Sequence, residues 1–480
     1  MRFVGAAGLL GLFVLGWVVA GWCGLHQDEA LFLKAIDDPA GCAFSILHGQ
    51  IALMIMAYVG TIKAALYVPY LKLVPLSPFA VRLPLLFALV AIAGLSLRFW
   101  LGFGSVSAVT LTAILFIAHP LFVLPIVMDW GPVGLQLLLS TLLLYAVRRN
   151  SFLWAGLLAG LMVWDKAVAI WVLAAVVASS AIFYPARLRR FCHWRVAAGF
   201  LLGAAPCLYY RSKVPHAMSG LRTELVPTEI WPKLWAARHS LDGSAMLGLL
   251  FPVDPPPALY GIVASVALLA VAGLAVRRRL PAFFWTATVF ALLAMMFTGG
   301  AGGSIHHHLL LWPLLAAAAC TTLAALPQPR WAVALACGFL AYSQLTVWVP
   351  YFQAAANGPR REWTDVTTQV AVYLSRPGAC PGGVFALDWG LTDNLTALGR
   401  GRYRVQMAAD DWWRPELPPE QQARAAARAA DPRACLLEWA DGPPYFTGVR
   451  AAADAALHER TSRVFLDRRQ RPMIRLFGPA

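Results

Sequence analysis

Charge is scarce in this chain. Only 13% of its 480 residues are Asp, Glu, Lys or Arg, while 59% are hydrophobic, and the apolar runs are longer than a soluble core requires. A soluble globular protein is thereby excluded, and a polytopic membrane protein is the class that remains. Acidic residues are scarcer than basic ones, 24 against 39, for a formal charge of +15. That balance invites nucleic acid as a partner, but the Lys and Arg residues sit in short clusters between apolar runs, where cytoplasmic loops put them, and nucleic acid is set aside. There is no phosphate-binding GxxxxGK[ST], no GxSxG elbow and no zinc spacing of Cys and His, so soluble nucleotide-sugar or ATP chemistry has no seat. No internal repeat is apparent either.

A spanning helix needs roughly 20 apolar residues. Spans are expected near 4–21, 79–97, 104–125, 132–147, 151–164, 167–184, 195–211, 258–276, 281–298, 308–326 and 331–349, eleven in all. Residues 1–22 resemble a signal peptide, yet no small-x-small cleavage site precedes a polar start, and retention as a first transmembrane helix is expected. The stretch Ile51 to Leu73 is long and apolar but broken by Gly60, Lys63, Pro69 and Lys72. Reading it as an interfacial juxtamembrane helix puts Arg2, Arg98, Arg148, Arg149, the Arg187 to Arg195 cluster, Arg277 to Arg279 and Arg330 on the inside, as the positive-inside rule requires. The N-terminus is then cytoplasmic. The outer surface receives the loop 22–78, Met128 to Gly131, Trp164 to Lys166, the loop 212–257, the stretch Gly299 to His308 and everything after 350.

Beyond Pro350 charged residues become frequent and no further span appears. The membrane part is therefore expected over 1–350, with a small extracytoplasmic α/β domain over 351–480. In that domain helical patterns fall at Glu362 to Leu374 and Pro418 to Ala430, and apolar runs at Val384 to Leu387 and Cys435 to Trp439. In an oxidising exterior Cys23 with Cys42, and Cys380 with Cys435, are candidate disulfides.

The unusual polar residues gather on the outer side. Asp28 and Glu29 follow the first span in GLHQDEALFLK, where the bland reading is a helix cap and the sharper one a catalytic carboxylate pair. Asp129 lies between two spans in VMDWGPVGLQ, with Pro132 placed to start the next helix; an ionisable group at such depth is a functional candidate. Lys166 sits in a short WDK hairpin, where either a local ion pair with Asp165 or a lipid phosphate would engage it, and Lys63 could bind phosphate in the same way. His306, His307 and His308 follow a glycine run. Consecutive helical residues diverge by about 100° and cannot share one ion, so hydrogen bonding to phosphate or sugar is preferred over a metal.

These residues, in this order and sidedness, resemble the GT-C superfamily of membrane glycosyltransferases. The pattern is DE in the first outer loop, the run SPFAVRLP from Ser77 to Pro84, Asp129 in the next outer loop, a lysine in the WDK hairpin and a histidine-bearing start to a late span. The chain looks most like the protein O-mannosyltransferase and aminoarabinose transferase group, the glycosyltransferase family 39-like proteins, in an uncharacterised bacterial branch. Its juxtamembrane stretch reads MAYVGTIK where that group has an HPPL-like or KP-containing motif.

The resemblance implies a multi-pass inner-membrane enzyme that moves a sugar from a polyprenyl-phosphate donor to a protein, lipid or glycan acceptor on the outer face, without cofactor or metal. Asp28 would be the general base, with Glu29 positioning substrate and Asp129 lining the same cavity. Lys63, Lys166 and the three histidines would stabilise the departing lipid phosphate. The rival reading is a transporter or flippase, in which the carboxylates would be coupling or substrate sites.

Overall fold

A computed structural model of the chain describes residues 2–131, 133–214, 227–253, 260–275, 278–298, 303–409 and 417–479. Pro132, Arg277 and Gly299 to Gly302, and the ends of the expected 258–276 span, lie outside the described residues. In chain order α1 (Arg2–Ala20) and α2 (Gln27–Asp37) lead to three short strands, β1 (Phe44–Ile46), β2 (Ile51–Met56) and β3 (Val59–Gly60). There follow α3 (Ile62–Leu71), α4 (Pro78–Trp100), α5 (Val106–Thr112), α6 (Pro120–Val127), α7 (Val133–Arg148), α8 (Phe152–Asp165), α9 (Ala169–Phe183), α10 (Pro185–Phe191) and α11 (Trp194–Lys213). Then come α12 (Pro227–Asp242), α13 (Ser244–Leu250), α14 (Tyr260–Ala275), α15 (Arg279–Met296), α16 (Ile305–His308), α17 (Trp312–Ala325) and α18 (Arg330–Asn357).

Among the described residues four helices are long and apolar enough to cross a bilayer, or six if each of two bent pairs is one span. Five further apolar helices are shorter. One bent pair is α5 with its π-helical continuation 113–117 and α6, which turn by 55° where Pro120 removes a backbone donor. Helix α18 outruns its expected span by a further two turns, to Asn357.

The stretch Ile51 to Leu73 corrects the expectation of one interfacial helix. Its first part is strand β2, paired antiparallel to β1 and β3, and only Ile62–Leu71 is helical. Thr61 ends the sheet by donating its hydroxyl to Ala52 O at 3.0 Å. At the tip of this sheet Ala167 N donates to Tyr58 O at 2.9 Å, and Val59 bridges to Lys166. The hairpin is thus stitched to the turn between α8 and α9. Residue 60 must be glycine there, because a Cβ would meet Trp164 O at 2.2 Å.

Helices α8 and α11 carry a feature that the reading of spans passed over. Gly156 and Gly160 on α8 face Gly199 and Gly203 on α11, and a Cβ added at any of the four would meet the other helix's backbone at 2.0 to 2.4 Å. Paired small-xxx-small faces of this kind let apolar helices approach where hydrophobicity gives no preference between helix and lipid.

After α18 come α19 (Val366–Leu374), β4 (Val384–Ala386), α20 (Asp393–Gly399), β5 (Val405–Met407), α21 (Pro419–Ala430), β6 (Cys435–Trp439), α22 (Thr447–Leu457), β7 (Ser462–Leu466) and β8 (Pro472–Phe477). The strands form one sheet in the order β5-β4-β6-β8-β7, parallel across β5, β4 and β6 and antiparallel beyond. Its two faces bury separate apolar clusters, α19 and α20 covering one and α21 and α22 the other. A disulfide joins Cys380 to Cys435. Cys23 and Cys42 are not bonded to each other, against expectation. They belong to different apolar clusters, Cys23 with the helix bundle and Cys42 with β2 and α2.

Gly203→Ala should lower the stability of the detergent-solubilised protein by about 1–3 kcal/mol, the usual cost of overpacking. Gly8→Ala, at a position with open space around it, should leave the thermal midpoint unchanged when both are followed by circular dichroism.

Candidate functional site

The site begins at the corner between α1 and α2. Arg82 on α4 is fully buried and all five of its N–H donors are used. Nε and Nη2 donate to the two Glu29 oxygens at 2.7 Å each, Nη1 to the carbonyls of Ala20 and Cys23 at 2.7 and 2.8 Å, and Nη2 also to Gly24 O at 2.6 Å. One guanidinium therefore ties the last turn of α1, the connecting turn and the first turn of α2. His26 caps α2: its Nδ1 accepts from Asp28 N at 3.1 Å, while Glu29 Oε2 accepts from His26 N at 2.9 Å. This is a capping box with histidine at its head. The cap requires an unprotonated Nδ1, and burial pushes His26 below its usual range.

Both carboxylates of the DE pair are thus placed, in different ways. Glu29, expected to position substrate, is wholly buried, with both oxygens engaged by Arg82 and the cap, so that it holds the backbone of the corner. Asp28, at the second helical position, is half-buried and its carboxylate has no hydrogen-bond or ion-pair partner among the described residues. It lies close enough to Lys166, Tyr58 and Asp393 for its charge to act on each.

Lys63, at the start of α3, is buried and forms an ion pair with Asp129. Its ammonium lies 4.1 Å from the centre of the Phe32 ring and 5.0 Å from that of Tyr67. Burial pulls Lys63 below its usual range, and the charges of Glu29 and Asp165 oppose that pull. Asp129 stands in the left-handed region, φ 46°, a conformation Asp tolerates better than most residues. Its other oxygen, Oδ1, has no partner.

Lys166, also buried, donates to Gly131 O at 2.7 Å. Burial pulls it down to about 7, with Asp165 and Asp28 opposing. Asp165 is fully buried and neither of its oxygens has a hydrogen-bond partner. Sequence reasoning noted Asp165 and the run containing Arg82 without assigning either to the site. A charged residue inside an otherwise apolar helix was the available signal.

The histidines separate. The His306 ring packs edge-on to Trp130 at 5.0 Å and against Gly131, where a Cβ would meet it at 2.8 Å. His307 neighbours His306, ring centres 4.3 Å apart, and the Lys166 charge reaches both. His308 turns away, its Nδ1 2.9 Å from Ser240 Oγ on α12. No group of three or more His, Cys, Asp or Glu side chains placed to hold one metal ion occurs among the described residues. Asp28, Lys63, Asp129, Lys166, His306 and His307 therefore gather at one end of the bundle. Arg148 and Arg187 lie together elsewhere, Arg148 donating to Phe99 O at 3.0 Å and Arg187 to Val147 O at 2.9 Å.

The sheet unit closes over this corner. The His26 ring stacks on Trp363 at 4.1 Å and meets Trp389 edge-on at 5.7 Å. The Gln27 amide donates to Thr392 Oγ1 and Asp393 Oδ2, both at 2.8 Å, and accepts from Asp393 N.

By sequence, no protein-family profile and no curated protein matches this chain. By structure it is similar to ArnT from Cupriavidus metallidurans. The TM-score is 0.64 against the apo crystal structure and 0.62 against the structure bound to undecaprenyl phosphate, with 12% identity over 99% of this chain and 98% of that one in each case. The chain thus shares the fold of ArnT over nearly its whole length.

Breaking the Arg82 clamp should unfold the corner. Removing one partner of a buried ion pair typically costs about 3–5 kcal/mol, so Glu29→Ala should greatly reduce the folded yield. Asp28→Asn, at a carboxylate with no partner to lose, should elute and melt as wild type in size-exclusion and thermal-shift measurements.

Proposed function

We propose that the chain is a membrane glycosyltransferase that moves a sugar from a polyprenyl-phosphate-linked donor to an acceptor on the outer face of a bacterial inner membrane. The observation that carries the reading is an unpartnered carboxylate, Asp28, close to the buried Lys166, with the buried Lys63–Asp129 pair at the same end of the helix bundle, in the fold of a protein crystallised with undecaprenyl phosphate. In this reading eleven spans cross the membrane with the N-terminus cytoplasmic, and the sheet unit after residue 350 is extracytoplasmic.

The chemistry follows from the charges. An acceptor hydroxyl has a pKa far above 7, so its proton must pass to a base as the new bond forms, and Asp28 takes it. The acceptor oxygen attacks the anomeric carbon while the bond from that carbon to the phosphate oxygen breaks. The electron pair leaves with the polyprenyl phosphate, and the anomeric centre inverts. Lys166 and Lys63 offset the growing phosphate charge, and His306 and His307 offer donors at the same place. Asp129 keeps Lys63 in position. No metal or cofactor enters the scheme.

Asp28→Asn should slow sugar-dependent release of polyprenyl phosphate in lipid nanodiscs by about 10²- to 10⁴-fold. Wild-type release that survives this change would refute the assignment of the base. Donor transport without release would favour a flippase.

The lysine gives a second test. Lys166 is protonated below about 7 and loses its charge above it, whereas the donor's phosphodiester stays singly charged throughout. The donor KM should therefore rise between pH 6 and 8, and Lys166→Arg, which keeps its charge, should flatten that rise.

A further inference from the structure

A cleft of about 440 Å³ lies between α2 and the sheet unit, bounded on one side by Gln27, Lys34 and Asp38 and on the other by Thr396, Arg404 and Gln406. Its place follows from the helical repeat. Asp28, Phe32 and Ala35 recur at i, i+4 and i+7 and form the face of α2 toward Lys63, as the contact of Lys63 with Phe32 requires. Gln27, Lys34 and Asp38 recur at i, i+7 and i+11 and form an adjoining face, turned toward α20 and β5. A single helix thus separates a buried cluster of charges from an open polar cleft, and Asp28 stands in its first turn, next to Gln27 of the cleft lining.

We infer that this cleft is the binding site for a hydroxyl-rich saccharide, the portion of the acceptor beyond the attacking hydroxyl; the role as acceptor rests on the function proposed above. The lining argues for this class over two others. An acyl chain needs a continuous apolar wall, and here the apolar contribution is Ala397, Val405, Met407 and Ala409, with no aromatic ring among the described lining residues.

An extended peptide would add to the free edge of β5, the outermost strand of the sheet. That edge is already occupied. Val405 N donates to Thr396 Oγ1 at 3.0 Å, the same hydroxyl donates to Val405 O at 3.4 Å, and Arg428 donates to the carbonyls of Met407 and Ala408 at 2.8 and 3.0 Å. What remains for a ligand is side-chain chemistry of both signs. Lys34 has no ion-pair partner among the described residues, Asp37 contributes a carboxylate, and Arg404 is paired with Asp38 at 2.7 Å. Sugar hydroxyls donate and accept together and match such a mixed lining. From Asp28 to Asp38 the helix rises about 15 Å, so a saccharide of two or three residues would fill the cleft and leave one end near Asp28.

Binding can be measured without turnover. The full chain in lipid nanodiscs is titrated with maltotriose, an uncharged hydroxyl-rich probe, and with a hexapeptide rich in Ser and Thr, by saturation-transfer NMR and calorimetry. Saturable maltotriose binding is expected in wild type and in Asp28→Asn, weakened at least tenfold by Lys34→Ala and by Gln406→Trp. Gln406 is exposed at the strand edge, so the tryptophan fills the cleft without disturbing the core.

Absence of maltotriose binding, binding that neither substitution weakens, or saturable binding of the peptide in place of maltotriose would each overturn the inference. Polyprenyl phosphate release that survives Asp28→Asn would strike the proposed function and leave this result standing.

Discussion

Everything placed in the candidate site depends on one buried guanidinium. Arg82 offers five donors in a rigid plane, and the structure supplies five acceptors from three successive pieces of chain. A buried arginine with an unfilled donor would be costly. The need to fill all five fixes where α1 ends, how the chain turns and where α2 starts. Asp28 is then positioned by neighbours that hold everything around it and leave its own carboxylate unclaimed. This division between adjacent acids, one consumed by structure and one left over, is what makes the DE pair more than a helix cap.

Around that corner the charges are arranged so that each buried ion has a counterpart close by. Lys63 meets Asp129, Lys166 lies among Asp165, Asp28 and a backbone carbonyl, and Arg82 meets Glu29. Counting Asp28, four acids face three bases. The unpartnered oxygens of Asp129 and Asp165 are the places where the network is incomplete, and as acceptors they call for a hydrogen-bond donor or a cation. Desolvation raises the cost of every unpaired charge here, so a network in this state favours a ligand that completes it.

The sheet unit is part of the site. It stacks an indole on the histidine that caps α2, grips the neighbouring glutamine with three hydrogen bonds, and walls one side of the cleft. Fold likeness to ArnT runs along nearly the whole chain although no sequence match is found. Packing geometry persists where residue identity does not, since many sequences satisfy the same helix contacts.

The sequence by itself determined a membrane class, the positions of the apolar helices, and the short list of polar residues worth attention, because apolar length and isolated charge are local properties that burial cannot disguise. Asp28, Lys63, Asp129 and Lys166 were all on that list, and Cys380 with Cys435 was a candidate disulfide, the one that forms. Four other matters were decided only by the tertiary structure. Ile51 to Met56 became a strand because its edge finds partners on both sides, and no periodicity in so apolar a run distinguishes strand from helix. Glu29 and Asp28 parted roles because only the approach of α4 brings Arg82 to one of them. The three histidines took different partners because successive helical residues point in different directions. Cys23 and Cys42 stayed apart because they sit in different cores, and sequence separation carries no information about distance through space.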